Sequence, residues 1–186
     1  MGQTLWFASR AGGMVALLLL TLTVVLGALH TGRAAHAAWP RFVVHALHRN
    51  LALLAVVFVA VHVATAIIDP YAGIGWIDAV APFASSYHPF WTGLGAVALD
   101  LFAALLVTSL ARTHLPLAWW RRLHWSAYAL WPIALAHGLG SGGADSGLGW
   151  VRAVDVACAL TVVAAVVARL RARHPDTEAR RALGLR

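Results

Sequence analysis

Apolar and polar positions fall in long blocks along this chain. Five apolar stretches, roughly 12–30, 50–68, 93–111, 123–140 and 153–169, are separated by segments that gather most of the charge. At about 1.5 Å of rise per residue, each approaches the length that crosses ~30 Å of hydrocarbon as a helix. The pattern predicts an all-α membrane protein, a bundle of five transmembrane helices forming a single domain over 1–186. Residues 170–186 follow as a tail. There is no solenoid-type repeat, low-complexity tract or second domain. The tail, within "RLRARHPDTEARRALGLR", reads as a polar helix or disordered end, too short for a flavin or nicotinamide domain.

Composition agrees with the blocks. The 186 residues are 61% hydrophobic and 11% charged, with a mean hydropathy of +0.75. A soluble domain of this size needs a far more polar exterior. The net charge of +7 does not point to nucleic acid, because the arginines flank apolar segments and crowd the C-terminus. The partner they imply is a lipid bilayer. All fourteen positive residues are arginine, which suggests a GC-rich bacterial genome. The lone Cys158 lies in an apolar run, excludes an internal disulfide and reads as a small buried hydrophobe.

Charge alternates from one connection to the next. The first connection holds Arg33, Arg41 and Arg49, and the third holds Arg112, Arg121 and Arg122. The second carries Asp69 and Asp78 with no positive residue, and the fourth carries Asp145 and only Arg152. Six arginines lie beyond Ala168. Positive flanks stay in the cytoplasm, so the N-terminus is expected outside and the C-terminus inside the bacterial cell membrane. Arg10 dissents by one charge. The apolar run from Met14 to Leu29 followed by "AAHAAW" also resembles a cleavable signal, but a retained first helix is the preferred reading. The aromatic second connection (Tyr71, Trp76, Phe83, Tyr87, Phe90, Trp91) is expected to cap the outer side at the interface.

Ten histidines then need an account. His30, His36, His88, His114 and His174 fall in loops or near span ends and read as interfacial or solvated, while His45 is a spare ligand or hydrogen-bond partner. His48 and His62 bracket the second span, fourteen residues apart, and His124 and His137 bracket the fourth, thirteen apart. One span separates these two, so they run parallel. His48 and His124 then share the cytoplasmic level, and His62 and His137 the outer one. One imidazole from each helix at each level suits an iron with two axial ligands. Fourteen helical residues cover about 21 Å, so two haems are expected, stacked between the second and fourth spans. Interhelical hydrogen bonding is the alternative for any one histidine. A zinc or di-iron site would need more ligands at one level. The thirteen-residue spacing misses a common helix face by roughly 140°, and Pro132 is a candidate kink.

The segments "LHRNLALLAVVFVAVH", "PFWTGLGAVALDLFAALLVTS" and "WWRRLHWSAYALWPIALAHGLGSGGADS" resemble the ferric-reductase-like transmembrane domain. NADPH oxidases, ferric reductases and the haem subunit of bacterial methionine sulfoxide reductase share that domain. The resemblance covers roughly 41–150. It implies b-type haems, the inner on His48 and His124, the outer on His62 and His137. The oxidases continue into a flavin and NADPH module. This chain does not, so its donor is expected to be a separate cytoplasmic flavin reductase, free reduced flavin (FAD or FMN) or a quinol.

Arg49 and Arg122 each lie within two residues of an inner ligand and are the chosen partners for haem propionates, which suit a guanidinium fork. Tyr87, His88 and Trp91 are weaker candidates at the outer level. Asp100, an acid well inside the third span, reads either as a proton or polar site near the outer haem or as a protonated acid bonded to a neighbouring helix. Trp131 and Tyr128 lie between the two levels. The expected function is a dihaem cytochrome b passing electrons from a cytoplasmic donor to an unidentified extracytoplasmic acceptor. It would be an oxidoreductase itself or the electron-transfer subunit of one. The rivals are a membrane anchor and relay for a separate reductase, and a haem-free transporter or scaffold.

Overall fold

A computed structural model describes residues 2–31 and 40–171. The first connection's Arg33, His36 and "AAHAAW" segment, and the tail from Ala172 with His174, lie outside the described residues. Every described element is helical. Seven α-helices follow in order: α1 (Gly2–Thr31), α2 (Arg41–Ile68), α3 (Trp76–Val80), α4 (Pro89–Leu110), α5 (Leu117–His124), α6 (Ala127–Ser141) and α7 (Gly149–Arg171). Four of them, α1, α2, α4 and α7, are long and apolar enough to cross a membrane.

The predicted stretch 123–140 is the one that differs. It divides into α5 and α6, with Trp125 and Ser126 between them. The join is overwound: Ser126, Tyr128 and Ala129 donate to the carbonyls three residues back, at 3.0, 3.1 and 2.9 Å. Such 3₁₀ turns advance about 120° per residue against 100° in an α-helix, which recovers roughly 60° of the angular miss between His124 and His137. Pro132 sits inside α6, but the break precedes it by six residues. The rewinding therefore belongs to Trp125 and Ser126.

Packing is organised around α1. It lies antiparallel against α2 along its length and also touches α6 and α7, while α4 packs on α6. By contrast α2 and α6 make little backbone approach. The core gathers Leu17, Leu20 and Val24 of α1 with Ala55 of α2, Trp131 of α6 and Cys158 of α7. Cys158 is buried, as its apolar neighbours imply. Trp131 donates its indole N–H to Thr21 Oγ1 at 2.9 Å, which ties α6 to α1 midway between the histidine levels. An apolar interior makes this bond worth having, since an unpaired indole N–H there is costly. The segment from Asp69 to His88 follows α2 at the end of the bundle nearer His62, with Tyr71, Trp76, Ile77 and Phe83 exposed, an aromatic and apolar surface suited to an interface.

Candidate functional site: two histidine pairs

The structure brings the four histidines together as two pairs. The rings of His48 and His124 have centroids 6.2 Å apart, and those of His62 and His137 6.1 Å. A metal–imidazole bond is about 2.0 Å and a centroid lies roughly 1.2 Å behind its nitrogen, so two imidazoles on opposite sides of one metal have centroids about 6.4 Å apart. Both pairs match that spacing. His48 of α2 thus faces His124 of α5, and His62 of α2 faces His137 of α6.

Three of the four rings have a common seat. His62 donates its Nδ1–H to the Ser9 carbonyl at 2.7 Å, and His48 donates its own to the Thr23 carbonyl at 2.9 Å. His137 donates to the Trp91 carbonyl at 2.8 Å. A carbonyl only accepts, so in each ring the proton is on Nδ1 and Nε2 keeps its lone pair for a metal. Four residues beyond each accepting carbonyl stands a glycine facing the same ring. A Cβ on Gly13 would come within 3.0 Å of His62, one on Gly27 within 3.3 Å of His48, and one on Gly95 within 2.6 Å of His137. The absent side chain is what lets the imidazole lie against the facing helix.

The α1 units form a repeat. Ser9 with Gly13, and Thr23 with Gly27, recur at fourteen residues, the spacing of His48 and His62 on the antiparallel α2. Fourteen residues return a helix nearly to the same face, so one face of α1 meets one face of α2 twice.

His124 lacks this seat. Its Nδ1 is buried without a hydrogen-bond partner among the described residues, and so is Trp120 Nε1. Its ring instead stacks on Trp120, centroids 4.9 Å apart and planes 22° apart. The Arg112 guanidinium lies 4.7 Å from the other ring of that stack, Trp120. Arg169 of α7 covers Trp125 at 4.7 Å and donates to Tyr128 Oη at 2.8 Å. Arg112 and Arg169 thus gather beside His124, and neither stood out in the sequence. Arg49 and Arg122 are exposed at the same end, Arg122 with its guanidinium 5.8 Å from the Trp119 ring.

At the level of His62 and His137 the unforeseen cation is Arg10. It donates to the Ser141 carbonyl at 2.9 Å and to the Gly142 carbonyl, capping the C-terminal end of α6 four residues past His137. Carbonyl groups at that end carry partial negative charge, which suits a guanidinium. Its neighbour Ser9 holds His62, so Arg10 is a fixed part of the outer level. Arg152 donates to the Ser146 carbonyl at 3.0 Å. Trp91 does serve the outer level, but through its backbone carbonyl. Tyr87 and His88 pack on one another, 4.6 Å between centroids. Asp100 is exposed on α4, roughly 140° around the helix from Gly95. His45 is exposed as well.

Among the described residues no group of three or more His, Cys, Asp or Glu side chains converges. Among the described residues each level offers a metal two imidazoles. That donor set suits an iron whose four equatorial ligands come from a macrocycle, and it is too small for a zinc or di-iron centre. Comparisons with family models, with curated proteins and with solved structures find no match for this chain.

Proposed function

We propose that the protein is a dihaem b-type transmembrane electron carrier, ferric-reductase-like, moving electrons from a cytoplasmic donor to an extracytoplasmic acceptor. The observation that carries this reading is the pair of ring spacings, 6.2 and 6.1 Å, close to what two imidazoles on one metal would need, with three of four Nδ1 atoms already committed to carbonyls. His48 and His124 would hold the inner haem iron, His62 and His137 the outer. Bound haem would supply a reversible one-electron couple. The chain's part is to orient the imidazoles, keep water away and surround each level with fixed charge. Ser9, Thr23 and Trp91 fix the tautomer that leaves Nε2 available, and a carbonyl on Nδ1–H also raises ligand basicity. Arg49 and Arg122 are the proposed inner propionate partners. Arg10 adds positive charge at the outer level, which favours the reduced state there.

In this reading α5 and α6 complete a fifth crossing, with the N-terminus outside and the C-terminus in the cytoplasm of a bacterial cell. The dissent of Arg10 then has a physical reason, since its charge is spent on the end of α6 and is not a free flank. Donors that fit are a flavin reductase, reduced flavin or a quinol.

Proteoliposomes with trapped ferricyanide and external dithionite test the proposal. Protein-dependent bleaching of the trapped oxidant is expected, together with a b-type reduced-minus-oxidised spectrum. Bleaching no faster than in empty vesicles contradicts transmembrane transfer, and a colourless preparation favours a haem-free transporter or scaffold.

A further inference from the structure

Of the four proposed ligands, one is held differently, and this difference bears on what the inner site can bind. His48, His62 and His137 each have a carbonyl on Nδ1 and a glycine beneath the ring. His124 has a buried Nδ1 with no acceptor among the described residues and is oriented by its stack on Trp120. To ligate through Nε2, His124 must carry its proton on that unpaired Nδ1, in a place water does not reach. The outer ligands and His48 bear no such cost. Loss of an outer-shell partner typically weakens a metal–ligand bond by about 10–100-fold.

We infer that His124 is the replaceable ligand, and that the inner site accepts a small neutral π-acceptor on the His124 side while the outer site stays closed. The inference rests on the two-haem reading above. Were haem bound there, His124 Nε2 would give up its place on the metal to the carbon atom of the incoming ligand. The imidazole keeps its lone pair, and no electron is gained or lost. Trp120 is a positioning residue here, since it acts on the site only through the ring it holds.

Carbon monoxide is the probe, added to dithionite-reduced full-length protein whose haem content has been measured. One carbon monoxide per chain with two haems per chain is expected. In His124→Ala the count should stay at one if both haems remain, or fall to zero if only the outer haem remains. Two per chain in that variant, or one per chain with a single haem left, would assign the wild-type exchange to the outer level and overturn the inference. Trp120→Leu should tighten carbon monoxide binding, measured per haem retained, by about 10–100-fold. A merely structural Trp120 would lower haem content without altering affinity. Wild-type protein with two haems and no carbon monoxide bound refutes the inference alone, whereas protein with no haem refutes the function on which it rests.

Discussion

At the outer level both imidazoles rest against a glycine and give a proton to a backbone carbonyl; at the inner level only His48 does. The ring spacing is nearly the same in the two places, 6.1 and 6.2 Å. A matching distance therefore conceals unequal support. The cause lies in the backbone. His137 sits within α6, close enough to α4 to use Trp91 and Gly95, whereas His124 ends α5 just before the break at Trp125 and Ser126. Fourteen residues on from Trp91 and Gly95, α4 carries Leu105 and Ser109, so α4 offers no glycine beside His124. Aromatic stacking replaces the hydrogen bond there.

The comparison breaks most visibly when a ligand is removed. His137→Ala should halve the haem per chain, and adding His62→Ala should remove no more, because the two would share one metal in the proposed arrangement. Haem determination on the purified variants checks this. Loss of all haem only in the double variant would mean that 62 and 137 serve different sites.

Graded effects should follow from the glycines. Gly95→Ala places a Cβ 2.6 Å from His137, Gly13→Ala 3.0 Å from His62, and Gly27→Ala 3.3 Å from His48. Loss of haem should fall in that order, with the outer level affected by the first two and the inner level by the third. Redox titration of each variant separates the levels, and equal loss from all three would remove the seats from the account.

Smaller changes test what joins the helices. Arg10→Leu removes the bonds to the Ser141 and Gly142 carbonyls, at a cost of roughly 1.5–3 kcal/mol if they behave as ordinary charged hydrogen bonds. Thermal denaturation should register the loss, with the outer haem released first. Trp131→Phe deletes only the bond to Thr21 and should cost about 1 kcal/mol while leaving both haems in place. A haem ratio that falls with Trp131→Phe would show that the midplane bond also sets the histidine levels.

Much of this was legible in the chain. Hydropathy located α1, α2, α4 and α7, because a bilayer demands long apolar runs whatever the tertiary detail. The pairing of His48 with His124 and of His62 with His137 followed from depth on parallel spans. Other features were less accessible. The break at Trp125 and Ser126 leaves no proline or glycine at the site, and the visible suspect, Pro132, lies six residues on. The carbonyls of Ser9, Thr23 and Trp91 have no sequence identity, since every residue carries one. The glycines did leave a trace: Gly13 and Gly27 repeat at the spacing of the two histidines on α2, and that coincidence could have marked α1 as the helix on which they rest. Arg10 read as a stray topological charge because its acceptors lie more than 130 residues away.

The central claim is that two pairs of imidazoles hold two haems, and stoichiometry tests it most directly. Pyridine haemochrome analysis against amino-acid quantification, with low-temperature reduced-minus-oxidised spectra, should give two b-type haems per chain, both six-coordinate in the oxidised state. A saturated preparation with one haem per chain, or with none, would contradict the account.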